Sequence, residues 1–272
     1  MTQKLTTVQF GEQLLDANDL DPVYTIVHHS GMSREQTRRF LVAYWCFYHV
    51  GTASWICDAP VRPHDTQYWR RMEVAAGSKE YPRSSERRHY RGQQAVLSVQ
   101  HLKSLGLMNM FSLFDQAAAE GNWLTATRVM TWARDWRGFG PWISFKVADM
   151  IDRVGYCRVK FTPDEALYES PLEGAKLMWE TTRKGPTPDD VGRRMMDVLI
   201  NHFDDQPAPP LNDRKFSYPE AETVLCKWKS YMGGHYHIGE DVTACRKSLT
   251  RFETPTAALL INGGIKGGLW DA

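Results

Sequence analysis

Between Trp136 and Arg153 the sequence sets Gly138, Phe139 and Gly140 directly ahead of Pro141, with Trp142, Lys146 and Asp149 following. Two glycines around one apolar residue admit left-handed backbone angles and leave main-chain N–H groups bare, and a proline at the first helical position gives up no donor the helix needs. A helix N-terminus behind such a turn carries partial positive charge, so the chemistry on offer is the gripping of a phosphate. Gly138, Phe139, Gly140 and Trp142 are the candidate contacts to a phosphodiester backbone. A reading without any ligand also exists, in which Gly138 ends one helix and Pro141 merely starts the next. The context favours the first: an apolar helix leads in, an amphipathic helix leads out, and an extended connector carrying an acid follows.

Lys146 and Asp149 stand three residues apart, with Trp142 one turn earlier, so all three lean to one side of that helix. They serve either as acid–base groups facing a cleft or as an ordinary surface ion pair. Asp164, just after the connector, is a second candidate carboxylate. From Arg62 to Arg91 there are eight Lys/Arg against four Asp/Glu, with Arg87, Arg88 and Arg91 inside five residues. Guanidinium forks match phosphate oxygens, and Arg87 and Arg91 share a face if the segment is helical; a solvated basic surface is the alternative. Gly92, directly after the cluster, would bend the chain and let the arginines converge. Further on, Cys226 to Asp241 mixes aromatic, basic and glycine residues as a binding loop does, with Lys229, Tyr236 and Asp241 as candidate substrate contacts. Cys226, His235, His237 and Cys245 match no standard zinc spacing, and no metal is expected.

The elements that must position these groups read as helices. Ser33-x-x-Gln36 is a capping box ahead of an aromatic helix carrying Phe40, Tyr44, Phe47 and Tyr48, which faces the core, as do Trp45 and Trp55; His28, His29 and His49 are taken as structural. Asp65 is placed to cap a helix through Met72, Gln93–Leu105 has helical period, and Asn122 precedes a helix ending near Trp136. Thr187-Pro188 opens another through about Phe203, and Ser217-x-x-Glu220 repeats the capping box. Strand signal is confined to Tyr156–Phe161. The expected fold is all-α: a helical main body over 1–205 with a helix-hairpin-helix near 122–153, a proline-rich linker at 206–216, and a C-terminal helix and Gly/aromatic loop over 217–272 packed on the main body, one contiguous core overall.

A chain of 272 residues with 42% hydrophobic content buries a real core. Its net charge of +1 supplies no global attraction to a polyanion, so any such partner must meet a local basic face. No apolar run long enough to cross a bilayer and no signal-peptide core is present, and five scattered cysteines without a C-x-x-C pair fit reduced thiols, so a cytoplasmic location is expected. The absence of a Gly-x-x-x-x-Gly-Lys-Ser/Thr loop excludes a P-loop kinase.

The run from Gly138 through Pro141 and Lys146 to Asp149, the basic stretch Glu86–Gly92, and Leu225–Lys229 with Gly234-x-Tyr236-x-x-Gly239-x-Asp241 resemble the phage α-glutamyl/putrescinyl-thymine pyrophosphorylase-like proteins, or amino acid:DNA transferases, a branch of the helix-hairpin-helix DNA glycosylase superfamily. The resemblance implies a helix-hairpin-helix, glycosylase-like array acting on pyrophosphorylated 5-hydroxymethyluracil in phage DNA. A free amino acid such as glycine would be joined to the methylene and pyrophosphate released. It implies double-stranded DNA carrying modified thymine as partner, a flipped target base, no cofactor, no membrane partner, and the cytoplasm of an infected bacterial cell. In that frame Arg87, Arg88 and Arg91 neutralise the pyrophosphate, and Asp149 or Asp164 deprotonates the amine beside Lys146. Lyase-type relatives carry a lysine two residues after the second hairpin glycine, where this chain has Trp142, and a downstream cysteine cluster that is missing here; Schiff-base strand cleavage is not expected. Asp164 falls about two residues past the place of the glycosylase aspartate. A mono-functional base glycosylase and a non-catalytic DNA-binding module are the rival readings.

Overall fold

The computed structural model describes residues 5–59, 65–183 and 185–270. In chain order its helices are α1 (Thr7–Asp16), α2 (Pro22–His29), α3 (Arg34–Phe47), α4 (Val50–Cys57), α5 (Thr66–Gly77), α6 (Gly92–Glu120), α7 (Ala126–Arg134), α8 (Pro141–Arg153), α9 (Pro163–Ala166), α10 (Glu169–Thr182), α11 (Val191–His202), α12 (Tyr218–Met232), α13 (Glu240–Phe252) and α14 (Pro255–Lys266). Two strands of two residues each, β1 (Leu124–Thr125) and β2 (Val159–Lys160), are the only ones among the described residues. The array is all-α, as expected. The extended signal at Tyr156–Phe161 reduces to β2 and the Arg158 carbonyl, which accepts from the Leu124 N–H at 2.9 Å.

The described residues group into two compact units, each assembled from two stretches of chain: Met1–Pro22 with Lys160–Thr243, and Val23–Val159 with Ala244–Ala272. The expected boundary at 206–216 coincides with none of the crossings. That segment closes on itself instead, with Ala208 N–H donating to Arg214 O at 2.8 Å and Phe216 N–H to Gln206 O at 2.9 Å. Its Arg214 then forks onto buried Glu220 at 2.9 Å through both Nη atoms, on the residue that completes the Ser217 capping box. Behind it α12 packs on α10, where Gly174 lies against the Leu225 backbone so closely that any side chain would collide.

In the second unit α3 is the spine. Its residues from Arg38 to Phe47 are all buried, and Trp45 lies 5.9 Å from both Phe111 and Trp136. The Ser33 box opens it as the sequence predicts. Helix α4 is pinned from one side by Ser248 and Phe252, which fill the space a side chain at Gly51 would need. Several helix starts differ from expectation for local reasons. Asp65 precedes α5 in a left-handed conformation and makes no cap; its carboxylate pairs with Arg39. Thr125, not Asn122, caps α7, accepting from Arg128 N–H at 3.2 Å, because Asn122 is turned toward Glu120. Helix α11 begins at Val191 behind Asp190, three residues after Pro188. Gly106, at φ +74°, breaks α6, so the predicted helix over Gln93–Leu105 is its first half.

Candidate active site

The hairpin hangs between α7 and α8. Gly138 is left-handed at φ +84°, and a Cβ there would stand 2.7 Å from Ser98 Oγ, so both backbone and packing demand glycine. Phe139 is buried, edge-on to Trp136 at 5.3 Å, and anchors the turn. Gly140 differs. Its φ of −84° suits any residue, and a Cβ would meet nothing within 4 Å. Neither the fold nor the packing requires a glycine at 140, and the space it leaves lies at the N-cap of α8, which has no side-chain cap and has Pro141 in its first turn. Main-chain donors with no side chain over them are what an approaching anion needs. Trp142 is half-buried against Tyr48 at 5.0 Å.

The arginine cluster does not share one face. Residues 85–87 form a single 3-10 turn, and α6 starts only at Gly92, whose φ is +60°. Arg87 turns inward and is 7% exposed. Its Nε donates to Cys46 O at 3.0 Å and its Nη1 to Gly138 O at 3.1 Å, with the Tyr90 and Phe139 rings at 4.4 and 5.3 Å. It therefore ties the end of α3 to the hairpin, and burial pulls its pKa below the ordinary value. Arg88 and Arg91 point outward and are exposed. Arg62 lies outside the described residues.

Helix α8 is buried from Ile143 to Arg153, including Lys146, Asp149, Asp152 and Arg153. Lys146 Nζ lies 3.6 Å from Asp149 Oδ2, and the same oxygen accepts from Tyr24 OH at 2.8 Å. Arg153 lies over the Tyr24 ring at 5.4 Å, and Asp152 accepts the Val159 N–H at 2.9 Å. The Lys146 side chain is 7% exposed and that of Asp149 is 0%, so this is no surface pair. Removing two charges from water costs several kcal/mol each, and surface i, i+3 pairs return a few tenths. Asp164 is the reverse case: its side chain is 78% exposed and pairs with Arg193 at 3.0 Å on open surface.

In the other unit, Asp19 is fully buried and gathers donors from Tyr236 OH, Gly239 N–H at 2.6 Å and Val242 N–H at 3.1 Å. Lys227 sits between Asp19 and Asp241, 2.6 Å from Asp241, and donates to Tyr236 OH at 3.1 Å. Burial raises the Asp19 pKa against the opposing pull of Lys227, and burial beside Asp19 raises that of Tyr236. Lys229 is instead in a surface pair with Glu173. Tyr236 and Asp241 thus belong to a clasp centred on Asp19, and Lys229 stands outside it. Among the described residues no group of three His, Cys, Asp or Glu is placed to hold a metal. His49 and Ser248 approach to 3.2 Å, yet His49 Nδ1 accepts from Thr52 N–H at 3.1 Å. The ring proton is then on Nε2, facing the serine, which is the wrong tautomer for activating it.

Residues 16–237 match the sequence family described as amino acid:DNA transferase. The chain belongs to that family. Two relatives agree with the match: a glycinyltransferase of Pseudomonas phage PaMx11, 35% identical over 272 residues covering 90% of each chain, and a putrescinyltransferase of Delftia phage PhiW-14, 25% identical over 252 residues covering 89% of this chain and 77% of the other. As an amino acid:DNA transferase the chain is an enzyme that joins an amino acid or amine to DNA, and the rival glycosylase and passive-module readings fall away. The family match spans the hairpin, all of α8 and Tyr24, and stops short of Asp241. No helix among the described residues of this transferase is long and apolar enough to cross a membrane. Sequence reasoning missed Tyr24, 125 residues from Asp149, and Asp19, 217 residues from Tyr236; no local spacing links either pair. Lys227 had a weak signal, since the Ser217 cap fixes the register of α12 and puts Lys227 beside buried Trp228.

Proposed function

We propose that this transferase joins an amino acid, glycine in the first instance, to 5-hydroxymethyluracil carrying a pyrophosphate in phage DNA. The amine nitrogen bonds to the base methylene, the methylene C–O bond to pyrophosphate breaks, and the ammonium's proton passes through Lys146 to Asp149. The observation that carries this reading is the buried Lys146–Asp149–Tyr24 group on the helix that begins at the hairpin. A charge pair enclosed so completely is costly to keep, and such groups concentrate where acid–base work is done. The α7–hairpin–α8 unit is read as a glycosylase-like helix-hairpin-helix that holds the DNA backbone, supported by the empty space beside Gly140 at the N-terminus of α8, which no side chain caps. Arg88 and Arg91 are the arginines of the basic stretch free to meet the leaving pyrophosphate, since Arg87 is spent on two carbonyls. Glycine as donor rests on the PaMx11 relative.

The test is mass spectrometry of nucleosides after incubating the protein with DNA carrying pyrophosphorylated 5-hydroxymethyluracil and a mixture of amino acids, with pyrophosphate assayed in parallel. A heavier nucleoside with matching pyrophosphate release is expected. An unchanged nucleoside profile refutes the proposal. Asp149→Asn is expected to abolish the product and Asp164→Asn to leave it.

A further inference from the structure

Helix α13 carries exposed Arg246, Lys247 and Arg251, and no acidic residue stands between Val242 and Phe252. Exposed Lys103, Arg193, Arg194 and Lys215 each hold a carboxylate at 2.7–3.8 Å, whereas none of the three cations of α13 is in an ion pair among the described residues. The helix lies past residue 237, where the family match ends, so nothing in that match assigns it a role.

Ser248 fixes how α13 is turned. With Phe252 it fills the space beside Gly51, and its Oγ accepts from Gly51 N–H at 2.9 Å. The His49 ring, kept neutral by burial and by the Arg251 charge, turns its Nε2–H on the same oxygen at 3.2 Å. With two donors aimed at Oγ, the hydroxyl's own proton must point elsewhere, and it meets no acceptor among the described residues. Neighbouring Thr250 behaves differently, donating back to the Lys247 carbonyl at 3.0 Å as helical hydroxyls commonly do. At roughly 100° per residue, Lys247 and Arg251 flank Ser248 on one side and Arg246 lies across the helix. The Arg251 charge reaches His49; His49 follows Tyr48, whose ring meets Trp142 at 5.0 Å in the first turn of α8. One continuous stretch of a single unit thus runs from the hairpin helix to this side of α13.

We infer that this side of α13, made of Lys247, Arg251 and the Ser248 hydroxyl, is a second contact to the phosphodiester backbone of the DNA, beyond the hairpin. The inference rests on DNA as the substrate and on neither the amine nor the route of its proton. A phosphodiester has charged oxygens and no proton to give, so it accepts from all three groups. With a net charge of +1 the chain attracts DNA only through local faces, and a cationic face without acids is one of them.

The experiment measures fluorescence anisotropy of a labelled duplex carrying the modified thymine at several salt concentrations, which needs no turnover. Wild type is compared with Lys247→Ala, Arg251→Ala, the double variant and Arg251→Lys. Arg246→Ala removes the same charge from the far side of the helix and is the control. Each single alanine variant is expected to lower the slope of log K against log salt by about 0.9 and the double variant by about 1.8, with Arg251→Lys and Arg246→Ala close to wild type. Thermal melts of all five should match wild type, because the side chains are exposed. A wild-type slope in the double variant overturns the contact. A lowered Tm with an unchanged slope leaves Lys247 and Arg251 only the support of the helix end, and also overturns it. Equal slope losses in Arg246→Ala, Lys247→Ala and Arg251→Ala mark a diffuse field in place of a built contact, and overturn it as well. If wild type transfers no amine, the transfer reading fails, while the slopes still decide this inference.

Discussion

Arg87 was an attractive phosphate ligand in the sequence, and its place in the fold gives a sharp way to test what it does. Replacing it by Met keeps the stem that packs between Tyr90 and Phe139 and removes the guanidinium that bonds Cys46 O and Gly138 O. Hydrogen bonds from a charged donor contribute about 1.5–3 kcal/mol each, so two lost bonds give about 3–6 kcal/mol. For a chain of this size each kcal/mol moves the midpoint by about 2–4 °C, so Tm falls by roughly 6–24 °C. The second half of the test is DNA affinity as a function of salt. Each phosphate contact contributes about 0.9 to the slope of log K against log salt. Because Arg87 faces carbonyls, Arg87→Met lowers affinity by loosening the hairpin and leaves the slope unchanged, whereas exposed Arg88→Ala lowers the slope by about 0.9. Thermal melts and fluorescence anisotropy at several salt concentrations measure both. An Arg87→Met protein with wild-type Tm and a slope reduced by about one would place Arg87 on a phosphate and refute the clamp.

Tyr24→Phe takes one donor from buried Asp149, and at about 1.5–3 kcal/mol it is expected to cut single-turnover kcat by roughly tenfold to a hundredfold with the KM for DNA unchanged; wild-type kcat would remove Tyr24 from the site. Burial, helped by the Arg251 charge, pushes His49 from the ordinary 6.5 down to about 4. Since the unfolded chain takes up that proton first, stability should fall as pH drops from 6.5 towards 4, by up to about 3 kcal/mol, and be unaffected above 7. Denaturant melts of wild type and His49→Asn across that window check it: the variant should lose less between pH 7 and 4.5. Gly138→Ala meets both a left-handed backbone and Ser98 Oγ and should cost about 1–2 kcal/mol or more, while Gly140→Ala should melt like wild type yet bind DNA more weakly. Equal DNA affinity for wild type and Gly140→Ala would show that no backbone phosphate approaches there.

What the sequence disclosed is what short-range rules govern. The Ser33 and Ser217 capping boxes, the two-glycine turn and the proline-led α8 are each set within four or five residues, and each stands where it was read. Asp65 failed as a cap because Arg39, far back on α3, claims its carboxylate. Arg87 and Arg91 share no helix face because the only helical turn among them, a 3-10 turn over Ser85–Arg87, ends at Arg87 and α6 starts only at Gly92. Lys146 and Asp149 could be named but not placed: an i, i+3 pair looks the same in sequence whether it is sealed in the core or lies on the surface. Tyr24 and Asp19 depend on contacts spanning 125 and 217 residues, which carry no periodic trace.

The unit that holds the hairpin is written in two instalments, Val23–Val159 and Ala244–Ala272. Its α4 is backed by Ser248 and Phe252, and its α2 lies against Gly263, so these packing partners are made only after the whole of Lys160–Thr243. At about 5–20 residues per second a ribosome needs roughly 4 to 17 seconds to make Lys160–Thr243, which separates the two instalments. For that interval the apolar flank of α4 waits uncovered on the nascent chain. Aggregation during synthesis, rather than equilibrium stability, is then the hazard in an overproducing host, and a variant trimmed after Thr243 would meet it permanently.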